Sequence, residues 1–400
     1  MKTDRVLTAT WCIVVALALF CFYGYSIQNA NAQTKTIKIG LITSVTGALA
    51  PAFKLQVDSA KPAADYLNQR GGITVKGEKY LVEVITEDDQ SSPAGAVTAA
   101  NRLIQDGVRF IVAPTFVPSN LAIASVCEAA KVLRLAPICV DPLPFGPPSR
   151  YSFNGEATIY NVTPMYTKLV TLYPHVKRVA MLGSDDPGSK VVIQVTEKEI
   201  KKRGMELVFK EPYKVPTEDF YPLLTKALDH KPDAIEVIWG IPPWIKGIVE
   251  QSRELGFTGP IWGVLPFGDI NVVKSMIDPR YAYDVSQGSV NVLSPKMPPV
   301  IKEFAKMMKN ATKDPYNFDH ILTLQGVWEI LQGIEAAQSF ETDKVVSALE
   351  NAKNIETPYG PGRFMGQEYI GMNRLFAKDV IPFARIMKDG SIETEFLPIK

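Results

Sequence analysis

The feature that most constrains this chain is a repeated alternation of apolar, strand-like runs with amphipathic helical segments. Each run is rich in valine, isoleucine or leucine, which is typical of strands buried on both faces of a sheet. The predicted strands cover residues 36–43, 80–87, 110–114, 133–140, 178–182, 205–209, 234–239 and 260–264. Strands that alternate with helices form parallel sheets covered on both faces, so the pattern predicts an α/β fold.

The alternation occurs twice, which indicates two domains. The first series ends near Val140 and the second begins at Arg178, and the proline-rich stretch 142–148 between them predicts an irregular connector. A length of 400 residues also fits two domains with separate cores. We therefore predict two similar Rossmann-like lobes with parallel sheets and a ligand between them. Near the end of the chain, residues 381–387 and 392–396 flank Lys388-Asp389-Gly390 and predict a β-hairpin.

Local signals predict where several helices begin and end. Ser92 followed by Pro93 predicts an N-cap and first turn of a helix that runs to residue 106. Ser119 is likewise expected to cap a helix that runs to residue 131, and Gly204 to end the helix 187–202. Pro62 interrupts a helical pattern, so that helix is expected to start late or to kink.

The charge balance excludes partners that are recognised by bulk electrostatics. The chain has 43 Lys and Arg residues against 42 Asp and Glu residues, so its formal net charge is +1. No attraction to nucleic acid or to an anionic membrane follows from that balance. With 46% hydrophobic and 21% charged residues, the composition is that of a folded globular protein.

The first 32 residues have the organisation of an export signal. Lys2 and Arg5 precede the apolar run 6–22, and Ala30-Asn31-Ala32 offers a small-x-small cleavage site. We predict cleavage after Ala32 and release into the periplasm. An uncleaved anchor is the alternative, because about 18 apolar residues can span a bilayer.

Two cysteines, Cys127 and Cys139, follow the predicted signal. In an oxidising compartment an even pair is compatible with a disulfide. Cys127 falls within a predicted helix and Cys139 at the end of the next strand, which also fits two buried thiols that act as small hydrophobic residues.

The sequence gives no sign of enzymatic chemistry. It has no G-x-G-x-x-G motif after the first strand, no P-loop and no G-x-S-x-G elbow. His175, His230 and His320 are far apart and lack metal-ligand spacing, and the first two are expected at the surface. We therefore predict a protein that is not an enzyme and that uses neither a cofactor nor a metal.

An ordered series of short motifs carries a resemblance to a known family. The series comprises Thr46-Gly47, Asn68-Gln69-Arg70-Gly71-Gly72-Ile73, Asp88-Asp89, Ala99-Ala100-Asn101-Arg102-Leu103 and Asp106-Gly107-Val108. In this order and spacing the chain resembles the leucine/isoleucine/valine-binding proteins, which are the type I periplasmic binding proteins of branched-chain amino acid ABC importers. The resemblance covers residues 35–400 and is strongest from 36 to 140.

The resemblance implies a two-lobed, monomeric solute-binding protein with a hinge of three chain crossovers. It places residues 33–152 and 289–363 in lobe 1, and residues 153–288 and 364–400 in lobe 2, with crossings near 150–156, 286–290 and 360–366. The expected partners are a small-molecule ligand and the permease subunits of an ABC importer. A sensory module of the same fold that feeds a receptor is the alternative.

The resemblance also implies candidate ligand contacts in lobe 1. Ser44 and Thr46 are interpreted either as ligand contacts or as turn-forming residues. The other candidates follow the predicted strands or begin the predicted helices. Ser119 has its capping role as the alternative, and Asp141 the role of a strand-end carboxylate that caps the turn before Pro142. They are Phe53, Phe116, Val117, Ser119, Ile138, Val140 and Asp141.

The candidates of lobe 2 occupy the corresponding strand ends. Asp186 is interpreted as a ligand contact or, like Asp185, as a helix cap, and Trp239 and Trp244 as stacking or packing residues. Ile241 and Leu265 stand where the family has a tyrosine and a glutamate. Asp319, at the start of a lobe 1 helix, is a further carboxylate that is interpreted as a contact or a cap.

Apolar residues replace polar ones at five aligned contact positions, namely Val117, Ile138, Val140, Ile241 and Leu265. A zwitterion in a dry cleft needs partners for both of its charges, since an unpaired buried charge costs several kcal/mol. We therefore expect an aromatic or apolar carboxylate rather than a simple aliphatic α-amino acid. The alternative is that Asp141, Asp186 or Asp319 serves as the ammonium partner from a new position.

Overall fold

A computed structural model of the chain describes residues 35–138, 149–185, 187–214, 217–238, 240–264, 268–289, 291–312 and 318–399. The fold is α/β with two lobes, each built on one mostly parallel sheet, as the alternation of strands and helices predicts. The proline-rich connector 142–148 lies outside the described residues, as do the predicted signal and Cys139.

The sheet of the first lobe contains nine described strands in the order β12-β13-β14-β6-β5-β4-β1-β3-β2. These strands are β1 (Lys35–Thr43), β2 (Ile73–Val75), β3 (Glu78–Asp88), β4 (Phe110–Val112), β5 (Leu133–Ala136), β6 (Ser152–Asn154), β12 (Ile355–Thr357), β13 (Gly360–Met365) and β14 (Leu375–Lys378). Six adjacent strands run parallel, namely β3, β1, β4, β5, β6 and β14. Strands β2, β12 and β13 pair antiparallel with their neighbours.

The sheet of the second lobe contains seven described strands in the order β16-β15-β11-β10-β9-β7-β8. They are β7 (Arg178–Ser184), β8 (Glu206–Tyr213), β9 (Ala234–Ile238), β10 (Ile261–Gly263), β11 (Val285–Gln287), β15 (Val380–Ile386) and β16 (Ile392–Pro398). Strands β7 to β11 are parallel, and the predicted C-terminal hairpin is confirmed as the antiparallel pair β15–β16.

Helices cover both faces of each sheet. Those of the first lobe are α1 (Ala50–Gln69), α2 (Pro93–Gln105), α3 (Val117–Ala122), α4 (Ala124–Ala130), α10 (Pro299–Thr312), α11 (Phe318–Ala337), α12 (Thr342–Asn351) and α13 (Gln367–Ile370). Those of the second lobe are α5 (Ile159–Leu172), α6 (Pro187–Lys202), α7 (Tyr221–Asp229), α8 (Pro242–Glu254) and α9 (Ile270–Met276). In the described part of the chain no helix combines the length and apolarity needed to cross a bilayer.

The apolar runs form strands because successive side chains enter opposite cores. In β1, Ile39 and Leu41 belong to the core that includes α1, α10, α11 and α12, whereas Ile42 belongs to the core on the other face, which includes α2 and α4. In the second lobe, Leu182 and Met181 of β7 divide in the same way between the two faces. Such strands need apolar residues at every position, which explains why they were recognisable from the sequence.

Several predicted helix ends are confirmed. Ser92 caps α2, since its side chain accepts a hydrogen bond from the amide of Gly95, with Pro93 in the first turn. Gly204 follows α6 with a positive φ of 68°. The helix that contains Pro62 does not start late, because α1 begins at Ala50 and includes this proline.

The capping role expected for Ser119 is wrong. Helix α3 begins at Val117 with Phe116 as its N-cap residue, so Ser119 lies inside the first turn. The single helix predicted up to residue 131 is two helices, α3 and α4, joined at Ile123. The proline at position 118 fits the first turn of a helix, which moves the start two residues upstream of the serine.

The third crossover lies further along the chain than the resemblance implies. The resemblance places residues from 364 onward in lobe 2, but β13 and β14 pair in the first sheet up to Lys378. The chain enters the second sheet at Val380, so the crossing is at Asp379. The crossing comes later because β14, which follows β13 in the chain, pairs parallel with β6 and so still belongs to the first sheet.

Candidate functional site

The carboxyl ends of the parallel strands form one edge of each sheet, and in such folds ligands bind outside this edge. In the first lobe the edge carries the loops after β1, β3, β4 and β5, and in the second lobe those after β7, β9, β10 and β11.

The loop after β1 is tied to the loop after β3. The Ser44 hydroxyl donates to Asp89 at 2.6 Å, and the Thr46 hydroxyl and amide donate to Asp88 at 2.5 and 3.1 Å. Burial acts to raise the pKa of Asp88, but the hydrogen bonds from Thr46 and from the amides of Gln90 and Val45 hold that pKa below its usual value. Both hydroxyls are therefore engaged in shaping the turn, which supports the structural alternative for Ser44 and Thr46.

A second polar link, which the sequence did not reveal, joins α1 to two of these strand ends. The Gln56 side chain is buried, and its Nε2 donates to Thr115 Oγ1 at 2.8 Å. Its Oε1 accepts a 3.4 Å hydrogen bond from Thr43, the last residue of β1. The Gln56 carbonyl accepts a further bond from Thr323 of α11 at 3.2 Å. A glutamine inside a helix gives no sequence signal for such a role.

Apolar and aromatic candidates lie around this link. Phe116 and Val117 stand where β4 leads into α3, and both are partly buried. Ile138 follows the neighbouring strand β5 and packs against the main core of the first lobe. Phe53, in the first turn of α1, is also partly buried. These four residues lie on elements that meet at the same sheet edge.

Ser119 is fully buried in the first turn of α3, and its hydroxyl has no hydrogen-bond partner among the described residues. Its neighbour Asn120 accepts hydrogen bonds, through its side chain and its carbonyl, from the guanidinium of Arg134 in β5. Arg134 is also fully buried. The polar interior behind the loop after β4 is therefore built from α3 and β5 together.

The described part of the second lobe shows one exposed and one buried candidate. Ile241 precedes α8 as its N-cap residue and is 39% exposed. Trp244 is only 9% exposed, and its ring packs edge-on to Tyr213 at 6.1 Å between centroids. Trp244 is thus a core residue, and the packing alternative applies to it. Asp185 pairs with Lys190 at 3.1 Å.

Asp269 is a buried carboxylate at this edge that sequence reasoning missed. It caps α9 through the amide of Asn271 at 2.7 Å, and it accepts a 2.9 Å bond from the amide of Val292 in the second crossover. Burial raises its pKa, against the lowering effect of these bonds. An aspartate directly before an apolar helical run is a capping signal, so the sequence contained the information.

Five candidates are not placed by the structure. Val140, Asp141, Asp186, Trp239 and Leu265 lie outside the described residues, and of Asp319 only the position in the first turn of α11 is described. Cys127 is a free, buried thiol, and burial raises its pKa to about 12. His175 and His230 are exposed, as expected, and no group of metal-ligating side chains occurs within the described ranges.

Two surface cavities of about 280 and 790 Å³ lie away from these strand ends. The smaller is lined by α11, α12 and β12, and the larger by the β8 edge and α6. The sheet edges, and not the cavities, are the candidate site, because the polar links and apolar candidates converge there.

Comparisons with known proteins agree with this architecture. A family model described as periplasmic binding protein matches residues 36–376. The leucine-, isoleucine-, valine-, threonine- and alanine-binding protein of Pseudomonas aeruginosa is 24% identical over 352 residues, which cover 87% of this chain and 89% of that protein.

Solved structures share the two-lobed fold. The branched-chain amino acid transporter substrate binding protein LivJ from Streptococcus pneumoniae, in complex with isoleucine, has a TM-score of 0.73 and 20% identity, covering 91% of this chain and 100% of that one. A solute binding protein of an ABC transporter from Rhodopseudomonas palustris, in complex with 3,4-dihydroxybenzoic acid, has a TM-score of 0.70 and 23% identity, covering 91% and 96%.

Proposed function

This chain belongs to the periplasmic binding protein family, and from that premise we propose that it captures a small molecule for an ABC importer. The observation that carries the proposal is the presence of two mostly parallel sheets. The loops of the candidate site follow the carboxyl ends of their strands, and the chain crosses between the two sheets three times. In this arrangement the lobes close on a ligand, which is held by excluding water around a few directed polar contacts.

We propose that the ligand leaves this protein chemically unchanged and passes to the permease subunits of the importer. The sequence carries no nucleophile–base pair and no cofactor motif. The relatives compared above are named as binding proteins, which supports the same role.

The proposed ligand is an aromatic or otherwise apolar carboxylate. Phe53, Phe116, Val117, Ile138 and Ile241 offer apolar surface at the two sheet edges, and none of these side chains can pair with an ammonium group. The related R. palustris protein binds 3,4-dihydroxybenzoic acid, whereas the P. aeruginosa relative is named for aliphatic amino acids. The apolar substitutions favour the first type of ligand for this chain.

The described carboxylates at the strand ends support this choice. Asp88 and Asp89 accept hydrogen bonds from the loop after β1, Asp185 pairs with Lys190, and Asp269 caps α9. An ammonium group that entered the cleft would have to compete with these partners. Desolvating an amino-acid zwitterion without a new carboxylate partner would cost several kcal/mol.

Calorimetry against benzoate, 4-hydroxybenzoate, 3,4-dihydroxybenzoate, leucine, isoleucine and valine tests both parts of the proposal. We expect saturable binding of at least one aromatic acid, with recovery of the unaltered compound, and none of the three amino acids to bind. Tight binding of leucine, isoleucine or valine would refute the ligand class but not the binding role. A ligand recovered in altered form would refute the role itself.

A pair of variants locates the site. Phe116→Ala is expected to weaken binding of the aromatic acid at least tenfold, because an aromatic contact and its buried area are lost, a change of about 1.4 kcal/mol or more. Leu255→Ala is the control, since Leu255 is similarly apolar, is 40% exposed and ends α8 at the opposite edge of its sheet. Equal affinities for both variants would place the ligand elsewhere.

We further propose that the protein is a periplasmic monomer from which residues 1–32 have been removed. The charged start, apolar run and Ala30-Asn31-Ala32 site support this location. Mass spectrometry of the secreted protein is expected to find Gln33 as its first residue. Recovery of the intact amino terminus in the membrane fraction would instead support an uncleaved anchor.

A further inference from the structure

A cluster of buried polar groups lies where two crossovers meet α11. We call it the hinge cluster, and it consists of Gly155, Glu156, Gln325, Glu329 and Lys378. Gly155 and Glu156 belong to the first crossover, after β6, and Lys378 ends β14 directly before the third crossover at Asp379. Gln325 and Glu329 lie one turn apart on α11, and all four side chains of the cluster are at most 4% exposed.

Glu329 is the carboxyl group of this cluster that forms no ion pair with a described residue. Neither of its carboxyl oxygens makes a hydrogen bond of normal geometry to a described residue, although both are buried. The Gln325 amide beside it donates to the carbonyl of Gly155 at 2.7 Å. A Cβ atom at position 155 would lie 2.6 Å from Glu329 Oε2, so the carboxyl group rests directly against the backbone of the crossover.

The charges of the cluster do not balance when every group is ionised. Lys378 pairs with Glu156 at 2.6 Å, which links the first crossover to the end of β14. One ammonium group therefore lies among two buried carboxyl groups. The three groups together are neutral only if Glu329 holds a proton. Burial, and the nearby charge of Glu156, raise the pKa of Glu329 well above its usual value, with Gln325 and Lys378 acting in the opposite direction.

We propose that Glu329 makes the hinge sensitive to pH, with a proton on its carboxyl group keeping the crossover packed against α11 and loss of the proton opening the lobes. An ionised Glu329 beside Glu156 needs water, because an unpaired charge in the protein interior costs several kcal/mol. Water would reach it if residues 155–158, which form the first crossover, moved away from α11 as the lobes separate. The inference rests on the hinge motion of the proposed function, but on no particular ligand.

The expected dependence on pH follows from linkage. If the packed arrangement holds the proton and the open one releases it, each pH unit above the usual carboxyl pKa of about 4.5 shifts the balance toward the open form by up to tenfold. The shift ends once pH exceeds the pKa of the packed form. The lobes should therefore be closed in mildly acidic solution and should open as the solution becomes basic.

Charged and polar groups face Glu329 from each neighbouring element. They are Glu156 from the crossover, Lys378 from β14 and Gln325 from its own helix, and Leu135 and the Ala136 carbonyl of β5 lie beside Gly155 at the same place. Tyr359 lies beyond Lys378, whose ammonium group is 4.5 Å from the ring centroid. His320 is buried on the same helix but nine residues away.

Small-angle X-ray scattering of the ligand-free protein between about pH 5.5 and pH 8.5 tests the proposal. We expect the radius of gyration of the wild type to increase with pH, and that of Glu329→Gln to stay at the acidic value throughout. Glu335→Gln, an exposed glutamate of the same helix, is the matched control and should follow the wild type. Comparing the variants removes the contribution of every other titrating group, His320 included.

A wild-type radius that does not change with pH, or a Glu329→Gln radius that increases as much as the wild type, would overturn the proposal. Thermal unfolding first checks that the variant is folded, and Glu329→Met, which has similar volume and no charge, replaces it if it is not. Because no ligand is added, this result is independent of the calorimetry, and failure of the pH-sensitive hinge leaves the proposed binding role intact.

Discussion

Glu236 provides a quantitative test of how burial controls ionisation in this protein. It lies on β9 and is fully buried on the face that packs against α5, where the Tyr166 hydroxyl donates to its carboxyl group. Burial raises its pKa to about 8, although the hydrogen bond from Tyr166 and the nearby indole N–H of Trp262 act to lower it. At neutral pH the folded protein therefore keeps a proton that the unfolded chain, with a pKa near 4.5, has lost.

The sign of the resulting effect on stability is fixed by linkage. Because the folded state binds the extra proton, this group's contribution to stability is greatest below about pH 4.5 and is lost as pH rises toward 8. The slope is about 1.4 kcal/mol per pH unit, so by pH 7 the loss reaches about 3 kcal/mol. Glutamine has a similar shape and can accept the hydrogen bond from Tyr166, but it does not titrate. If the amide hydrogens of the glutamine lack an acceptor, the variant loses about 1–3 kcal/mol of stability at every pH.

Denaturant unfolding of the wild type and Glu236→Gln over a pH series measures this effect. We expect the variant to gain stability relative to the wild type by about 1.4 kcal/mol per pH unit between about pH 5 and 7.5, and the difference to level off above pH 8. The control is Glu254→Gln, since Glu254 also accepts a hydrogen bond from a tyrosine, Tyr221, but on the exposed surface. Parallel stability curves for the wild type and Glu236→Gln would refute the reasoning.

Three further predictions concern a helix cap, a buried ion pair and the closure of the lobes. Ser92→Ala should lower the free energy of unfolding by about 1 kcal/mol, because the N-cap bond to Gly95 is lost, and urea denaturation measures it. Lys378→Met should destabilise the protein by about 3–5 kcal/mol at neutral pH by leaving Glu156 unpaired, and an unchanged midpoint of thermal unfolding would contradict this. Saturating ligand should reduce the radius of gyration, and scattering curves identical with and without ligand would argue against closure of the lobes.

Apolar strands could be predicted from the sequence even when short, as for β4 and β10, whereas short strands with polar side chains could not. Strands β1 and β7 each contain a continuous buried run, residues 39–42 and 179–182, in which no side chain is polar, so burial on both faces leaves a clear pattern. Strands β6 and β11 have three residues each and contain polar side chains, among them Ser152, Ser286 and Gln287. Their place in the sheets depends on neighbours distant in sequence, and this is why the third crossover was misplaced.

The site shows the same limit at the level of single residues. The two interpretations of Ser44 and Trp244 were available from the sequence, but only the contacts with Asp89 and Tyr213 distinguish them. The roles of Gln56 and Glu329 depend on pairs of elements that meet only in the folded chain. Asp269 is the exception, because its capping signal is local.

The crossovers also govern the order in which the chain can complete its fold. The first sheet needs β14, which ends at Lys378, and the second needs β15 and β16, which extend to Pro398. During synthesis the edges of β6 and β11 therefore stay unpaired until almost the whole chain has emerged, and contacts so distant in sequence form slowly. A chain whose sheets are completed only by its last strands therefore keeps both lobes incomplete until its synthesis is nearly over.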